Sequence, residues 1–326
     1  MHTPVALIIF NRPQHTARVF AEIAKARPER LFLIADGPRP DRPEDVQRCA
    51  AVRDIVAHVD WPCQVERNFA ERNLGCGRRP ASGISWVFEQ VDEAIILEDD
   101  CVPDPTFFRF CEDLLEKYRE DERVMNIGGT NWQWPPPRAR SSYFFSIFNI
   151  TWGWATWRRA WQYYDPAVRL WPAFRDTSWL LDLVRDAHVA QMFAHAFERA
   201  HATQGELDFW DYQWTFTCWA HHGLSILPTT ALVENVGFGP EATHTTWMGD
   251  VRARLPKGTM DFPLRHPAAM VPDRAADQYI IERVILPQVQ PPQPSLLDHL
   301  RKLGGVLPDG VRVKVKTHLA AWLGVE

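Results

Sequence analysis

The stretch that decides the fold is Ala94-Ile95-Ile96-Leu97-Glu98-Asp99-Asp100, in which a short apolar run ends on three adjacent carboxylates. An apolar run of this kind is typical of a strand that is buried on both faces. Adjacent carboxylates repel each other and lose hydration when buried, so a nearby positive charge would stabilise them. Mg²⁺ or Mn²⁺ is one such charge, because these ions prefer oxygen ligands. The alternative is a solvated acidic loop that caps the following helix.

The same alternation of strand, polar turn and helix precedes this stretch. Strands are predicted at Val5–Phe10, at Leu31–Ala35 and around Gln64–Phe69, each followed by helical periodicity. Short strands separated by helices predict an α/β fold with a mainly parallel sheet that helices flank on both faces. Ligands bind such sheets at the carboxyl ends of the strands. The turns Asn11-Arg12 and Asp36-Gly37 are therefore expected to converge with the acidic triplet on one crevice.

Composition excludes several classes of protein. The chain has 326 residues, is 46% hydrophobic and carries a net charge of -5, so it can bury a core but has no broad cationic field for nucleic acid. Its six cysteines form no C-x-x-C pair and no zinc spacing, which favours reduced thiols. No apolar run reaches the roughly 18 residues of a membrane span, and no secretory signal opens the chain. These features predict a cytoplasmic protein.

The chain contains 15 tryptophans, many of them clustered after Trp132. Such rings either fill a core or stack on sugar rings. We expect residues 1–130 to form the half of a domain that carries the acidic triplet, residues 131–285 the aromatic-rich half of the same domain, and residues 286–326 a linker and tail. The segment from Trp132 to about Gly249 is expected to be rich in loops. The tail carries leucines and basic residues that could contact the inner face of an anionic membrane, or could form a docked helix.

Motifs along the chain resemble a known family. The stretch that ends on Glu98-Asp99-Asp100, with Asn73-Leu74-Gly75 and Asp36-Gly37 before it, resembles the nucleotide-sugar-binding half of GT-A-fold (Rossmann-like) glycosyltransferases. It is most similar to bacterial family-2-like transferases, with a likeness to eukaryotic N-acetylglucosaminyltransferase I around Leu97–Phe108. The resemblance covers Pro4–Thr246, and it implies that residues 1–130 are the donor-binding half and residues 131–285 the acceptor-side half of one domain. It implies transfer from a nucleoside diphosphate sugar, with UDP as the first guess, to a glycan or lipid-linked saccharide in bacterial polysaccharide biosynthesis.

The resemblance also implies roles for the donor-side residues. Asn11 and Arg12 would lie near the base and ribose, and Asp36 would bind the base, unless Asp36 only forms an Asp-Gly-Pro turn. Arg72 would approach the base or the diphosphate, or would be an ordinary surface charge. Glu98, Asp99 and Asp100 correspond to the D-x-D motif, in which the final Asp ligates Mn²⁺ or Mg²⁺ and the other acids contact the donor nucleotide.

A catalytic base is expected further along the chain. Breaking the anomeric bond with inversion needs a carboxylate that deprotonates the acceptor hydroxyl. Asp211, among bulky aromatic residues, is the candidate, and its setting predicts a raised pKa. Asp208 could replace it, and either acid could simply cap the helix that follows.

Other residues are assigned by the same resemblance. The segment that contains Trp152, Gly153 and Trp154 resembles the Gly/Trp-rich lining of the sugar and acceptor pocket, to which Trp210 is added. In this interpretation the glycine lets the backbone approach a sugar ring. His244, in a late segment, would complete the metal site or contact the diphosphate.

Two other functions share some of these features. A sugar nucleotidyltransferase would have the same fold, but it should carry a glycine-rich phosphate loop after the first strand, and Phe10-Asn11-Arg12-Pro13 contains no glycine. A non-catalytic carbohydrate-binding protein would explain the tryptophans, but it would not explain three acids at the end of a strand.

Overall fold

A computed structural model describes residues 1–134, 140–238, 252 and 255–289. Residues Met1–Ile285 form one compact unit, and a second unit begins at Leu286. Most of the predicted linker and the whole basic tail lie outside the described residues, as does His244. No helix in the described ranges is long and apolar enough to span a membrane.

Strands and helices alternate through the first part of the chain. The strands are β1 (Val5–Ile9), β2 (Arg30–Ala35), β3 (Gln64–Phe69), β4 (Glu93–Glu98), β5 (Cys101–Pro103), β6 (Val124–Gly128), β7 (Tyr143–Ser146), β8 (Trp154–Trp157), β9 (Leu224–Pro228) and β10 (Val233–Asn235). The helices are α1 (Pro13–Ala26), α2 (Glu44–Ala57), α3 (Gly75–Phe88), α4 (Pro105–Lys117), α5 (Arg158–Trp161), α6 (Trp179–Val184), α7 (Ala187–Ala202), α8 (Asp211–Ala220), α9 (Arg274–Ile280) and α10 (Leu286–Val289). Single turns of 3-10 and π helix cover Trp171–Ala173 and Ile281–Ile285.

Eight strands form one sheet in the order β3-β2-β1-β4-β8-β6-β9-β7, and β5 pairs separately with β10. The first four strands are mutually parallel, and β6 is parallel to β9. The other three pairs are antiparallel, since β8 runs against both β4 and β6, and β7 against β9. The predicted α/β fold with a mainly parallel sheet is therefore confirmed.

Helices cover both faces of the sheet, and β1 is accordingly apolar at every position. Val5, Leu7 and Ile9 pack into one core with α1, α2 and α4. Ala6 and Ile8 point to the other face and pack with α3, α5 and α8. Side chains alternate across a strand, so a strand that is buried on both faces needs this continuous apolar run. The polar residues that follow such strands are thereby concentrated at the sheet's edge.

The expectation of a loop-rich segment from Trp132 to Gly249 is wrong for the part that the structure describes. This part contains four strands, β7 to β10, and four helices, α5 to α8. The strands have only three to five residues and the helices are dense in aromatic side chains. The short strands are too brief to show a period, and α8 shows none because residues 213–219 are buried on every side.

Candidate functional site

The polar turns after β1, β2 and β4 meet at one edge of the sheet. Between β1 and β4 the strand order changes direction, since the chain builds outward from β1 to β3 and then returns to place β4 on the other side of β1. A change of this kind leaves a crevice at the carboxyl ends of the strands. Arg12 follows β1 and Glu98 ends β4, so both border this crevice.

Arg12 neutralises part of the acidic triplet. One guanidinium nitrogen binds Asp99 Oδ1, and Nη1 lies 3.0 Å from Asp100 Oδ2. The second oxygen of Asp99 accepts a hydrogen bond of 3.2 Å from the backbone N of Phe10. Both oxygens of Asp99 are therefore used within the protein. The sequence analysis named a divalent cation as a neutralising charge but did not identify Arg12 as one, because the sequence alone does not show that a side chain 87 residues earlier reaches the acids.

Glu98 also borders the crevice, and the pKa of its carboxyl group is strongly raised. Burial, followed by the charges of Asp100 and Asp99, raises the pKa of its carboxyl to about 8. The charge of Asp211 contributes to the same rise, so the carboxyl groups of Glu98 and Asp211 are electrostatic neighbours. The Glu98 carboxylate accepts no hydrogen bond from any residue in the described ranges. It is therefore available to a ligand.

The carboxylates at the end of β4 could supply some of the ligands of a divalent cation. The three acids outnumber the one arginine, so negative charge remains for a cation to neutralise. Among the described residues, Asp100 Oδ1 accepts a hydrogen bond only from the thiol of Cys101, at 3.4 Å, and Glu98 is available, whereas Asp99 is not. Within the described residues no three His, Cys, Asp or Glu side chains form a complete metal site. Two carboxylates are nevertheless enough for Mg²⁺ or Mn²⁺ when phosphate and water supply the other ligands.

Strand β10 brings a later part of the chain against Asp100. The backbone N of Val236 donates a 2.8 Å hydrogen bond to the carbonyl of Asp100. At Gly237 a β-carbon would lie 2.2 Å from Asp100 Oδ2, so only glycine fits there without displacing the carboxylate. The sequence analysis gave this glycine no role. His244 lies outside the described residues, and its contact with metal or diphosphate stays a prediction.

Asp36 organises the loop that opens α3. Its carboxylate accepts hydrogen bonds from the backbone N atoms of Gly37 (2.8 Å), Leu74 (2.9 Å) and Gly75 (3.1 Å). The side chain of Asn73 adds a fourth, at 3.0 Å. Four donors use the ordinary acceptor capacity of a carboxylate. The structure therefore gives Asp36 a role in holding this loop, and its contact with a base stays a prediction.

The other two donor-side residues differ in what surrounds them. Asn11 is buried, and its amide donates a 2.7 Å hydrogen bond to Asp45, which Arg39 also binds at 2.6 Å. Arg72 is exposed, and its guanidinium makes no hydrogen bond or ion pair with the part of the chain that the structure describes. Of the two, Arg72 is the side chain that can reach an anionic ligand without breaking an existing contact.

Asp211 is the first residue of α8, and this helix end lies against the start of α3. The thiol of Cys76 donates a 2.8 Å hydrogen bond to the carbonyl of Asp208, and a β-carbon at Gly77 would lie 2.1 Å from the carbonyl oxygen of Leu207. The charges of Glu98, Asp208 and Asp211 all act on Cys76. The starts of α3 and α8 therefore pack together next to Asp211, whereas the side chain of Asp208 is exposed.

Two of the predicted pocket tryptophans belong to the core. Trp154 on β8 has no exposed surface, and its ring is surrounded by those of Trp161, Trp210 and Trp214 at centroid distances of 5.7 to 6.0 Å. Trp210 is 5% exposed and stacks on Trp154. The assignment of Trp154 and Trp210 to a sugar pocket is therefore wrong, because aromatic neighbours already cover their faces.

Gly153 and Trp152 differ from this pair. Gly153 has a φ of +60°, and a β-carbon there would lie 2.7 Å from the side chain of Val233, so its close contact is with the protein itself. Trp152 is half-buried and lies edge-on to Trp132, at 5.3 Å, and to Phe238, at 5.5 Å. It remains a candidate for the pocket.

The sequence analysis did not identify Arg252 as a candidate site residue. Its guanidinium lies over the rings of Trp132 and Trp152, at 5.2 and 5.7 Å. Its charge also lowers the pKa of Tyr212, which burial and the charge of Asp211 raise more strongly, to about 12. No local motif surrounds this arginine, so only the tertiary structure connects it with the start of α8.

A separate cleft of about 710 Å³ opens at the other end of the sheet. His2 and Thr3 precede β1, and Glu93 begins β4, so this cleft lies at the amino ends of these strands. Glu112 also lines it and accepts hydrogen bonds from the backbone N atoms of His2 and Thr3. None of the predicted site residues borders this cleft.

Comparisons with known proteins give similarity to solved structures only. No protein-family model matches the chain, and no curated protein matches it. One similar structure is UDP-glucose pyrophosphorylase complexed with UDP-glucose, at 11% identity and a TM-score of 0.25, over 39% of this chain and 56% of that one. This chain therefore matches little more than half the length of the pyrophosphorylase. Another is mouse xyloside xylosyltransferase 1 in its apo form, at 10% identity and a TM-score of 0.32, over 69% of this chain and 85% of that one.

Proposed function

We propose that this protein is a metal-dependent glycosyltransferase that transfers a sugar from a nucleoside diphosphate donor to a hydroxyl group of a saccharide or lipid-linked saccharide. The observation that carries the proposal is the acidic triplet at the carboxyl end of β4, where Arg12 pairs with Asp99 and Asp100 but leaves Glu98 without a hydrogen-bond partner in the described ranges. The start of α8, which carries Asp211, packs against the start of α3. The proposed site thereby combines carboxylates for a cation with a separate carboxylate for a proton. The proposed mechanism uses both, because the cation stabilises the departing diphosphate and the base deprotonates the acceptor hydroxyl.

On the donor side, Asp100 and Glu98 would hold Mn²⁺ or Mg²⁺. The bound cation stabilises the negative charge that develops on the departing nucleoside diphosphate. Arg12 keeps Asp100 in place through the 3.0 Å ion pair and keeps Asp99 charged through its second contact. The exposed guanidinium of Arg72 is the further positive group on this side that can bind a diphosphate.

On the acceptor side, Asp211 would accept the proton of the attacking hydroxyl. The carboxylate needs to lie within hydrogen-bond reach of that hydroxyl, on the face of the sugar opposite the leaving group. Attack from that face inverts the anomeric centre. The rigid start of α8, packed against α3 through Cys76 and Gly77, fixes the position of this carboxylate.

The proposal is tested by calorimetric titration of the protein with UDP, GDP, CDP and dTDP, first with Mn²⁺ and then with EDTA. We expect one nucleotide to bind in Mn²⁺ and to lose most of its affinity in EDTA. Asp100→Asn should abolish the effect of Mn²⁺, whereas Asp113→Asn, on the surface of α4, should leave it unchanged. If no nucleotide binds, or if Asp100→Asn binds nucleotide and metal normally, the proposed donor site is wrong.

A further inference from the structure

Buried polar atoms without partners are concentrated just beyond the end of β6. Thr130 Oγ1, Trp132 Nε1 and Gln133 Nε2 make no hydrogen bond with any described residue. Thr130 has no exposed surface, and Gln133 is only 7% exposed. Most buried polar groups in proteins are hydrogen-bonded, so three exceptions within four consecutive residues indicate a partner that the described residues do not supply.

Asn149 adds a fourth such group. The hydroxyl of Thr215 lies 2.8 Å from Asn149 Oδ1 and 3.0 Å from the carbonyl oxygen of Asp211. One hydroxyl proton cannot serve both oxygens. If the amide is turned, Nδ2 donates to the hydroxyl and the hydroxyl donates to Asp211, which leaves Oδ1 open. In either orientation one polar atom of the Asn149 amide has no partner.

These groups lie along neighbouring stretches of backbone. The N of Gly129 donates a 2.7 Å hydrogen bond to the carbonyl of Gly153, and a β-carbon at Gly128 would lie 2.9 Å from the carbonyl oxygen of Ile150. Residues 128–133 therefore run beside residues 149–153. In the sheet β8 separates β6 from β4, so this region is distinct from the crevice between β1 and β4.

The backbone at Trp132 has an unusual conformation. Its φ of +53° lies in the left-handed region, which residues other than glycine rarely adopt. Conformations of this kind are concentrated at functional sites. Because Arg252 covers a face of the Trp132 ring, the indole can offer its unpaired N–H rather than that face.

The chemistry of these groups identifies the class of ligand. They are a hydroxyl, an indole N–H and two carboxamides, which are neutral and together donate and accept hydrogen bonds. Resting on the proposed function, we propose that Thr130, Trp132, Gln133 and Asn149 form an acceptor subsite that binds the hydroxyl groups of an uncharged sugar ring. Thr215 connects this subsite to the backbone of Asp211, so the bound ring is held beside the proposed base.

The test uses methyl glycosides of neutral hexoses and N-acetylhexosamines as probes, with methyl glucuronide as the charged comparison. Affinities are measured by NMR saturation transfer in the presence of UDP and diamagnetic Mg²⁺, and UDP affinity is measured in parallel. We expect a neutral glycoside to bind more tightly than the glucuronide. Thr130→Val should weaken its binding about fivefold, since one neutral hydrogen bond is lost. Asn149→Ala should weaken it at least as much.

A stability measurement separates binding from folding. Thr130→Val removes a hydroxyl that has no partner in the free protein, so its unfolding midpoint should be equal to or higher than that of the wild type. The matched control is Thr156→Val, which removes a buried hydroxyl that donates a 2.6 Å hydrogen bond to the carbonyl of Met125. This variant should have a lower midpoint and an unchanged glycoside affinity.

The possible failures are distinguishable. If UDP binds but no neutral glycoside does, or if Thr130→Val and Asn149→Ala bind the glycoside like the wild type, the subsite is wrong and the proposed function stands. Tighter binding of the glucuronide would overturn the assignment of an uncharged ring. If none of UDP, GDP, CDP and dTDP binds and no glycoside binds, the proposed function fails, and the subsite fails with it.

Discussion

Arg12 forms an ion pair with Asp100 across the carboxyl ends of β1 and β4, with 3.0 Å between Nη1 and Oδ2. The same guanidinium binds Asp99, whose side chain is only 3% exposed. The protein therefore carries its own counter-charge for the acids that end β4. In the absence of any cation, this pair preserves the shape of the proposed donor site.

Loss of Arg12 should destabilise the fold. Arg12→Met leaves Asp99 buried without its partner, and breaking a buried pair on one side typically costs about 3 kcal/mol or more. Urea unfolding at pH 7 should show this loss. The control is Arg18→Met, because Arg18 and Glu234 form a 3.7 Å pair on the surface, with both side chains about half exposed. We expect that change to cost less than about 1 kcal/mol. Equal effects of the two substitutions would contradict the role of Arg12.

Glu98 should make stability depend on pH. Its pKa rises from 4.5 to about 8 on folding, mainly through burial, so the folded state holds the proton more strongly than the unfolded state. Stabilisation from this group is complete below pH 4.5 and is lost as the pH rises towards 8. Urea titrations in EDTA should show a falling free energy of unfolding over this window, and Glu98→Gln should reduce the fall. An identical pH profile for the variant would rule out Glu98 as its source.

Asp211 should affect turnover more than binding. Asp211→Asn keeps the size of the side chain but removes the base, so the release of UDP from the donor during transfer should slow about 100-fold or more. The donor affinity should stay within about twofold, because the base acts on the acceptor. Asp208→Asn is the matched control, since its side chain is exposed nearby, and we expect it to retain most of the activity. The assignment is wrong if Asp208 proves essential and Asp211 does not.

Gly237 should be essential for the shape of the metal site. Alanine there would place a β-carbon 2.2 Å from Asp100 Oδ2, so either the carboxylate or the backbone must move. We expect Mn²⁺-dependent nucleotide binding to weaken about tenfold or more, as measured by calorimetry. Gly258→Ala serves as the control, because its β-carbon would meet Thr230 Oγ1 at 2.2 Å, away from the acids. Normal Mn²⁺ dependence in Gly237→Ala would show that Asp100 does not hold the metal.

Asp36 should stabilise the start of α3. In Asp36→Asn the amide keeps a single acceptor oxygen, so some of the backbone N–H groups of Gly37, Leu74 and Gly75 lose their partner. We expect a loss of about 2 kcal/mol in the free energy of unfolding. Asp54→Asn, at an exposed position on α2, should have almost no effect. A stable Asp36→Asn protein with weakened nucleotide binding would instead favour the predicted contact with a base.

Sequence patterns predict β4 and the start of α4, but they do not predict the burial of Trp154. The apolar run before Glu98 predicts a strand because its signal is local and continuous, and Pro105 after Asp104 marks the start of α4 in the same way. Trp154 shows where such reasoning fails. Its segment has the composition of a sugar pocket, but it forms β8, which the fold inserts between β4 and β6. Burial from both sides is a property of that insertion and leaves no periodic trace in four residues.

The sequence by itself determined the α/β class and the gathering of Arg12, Asp36 and the acidic triplet at one edge of the sheet. Parallel strands have their carboxyl ends at the same edge, so strand periodicity alone is enough for this conclusion. Only the tertiary structure decided the partners of these side chains: Arg12 binds Asp99 and Asp100, Asp36 holds the loop before α3, and the start of α8 packs on the start of α3. Each of these contacts joins distant parts of the chain, and their geometry is set by how helices pack on the sheet rather than by any local pattern.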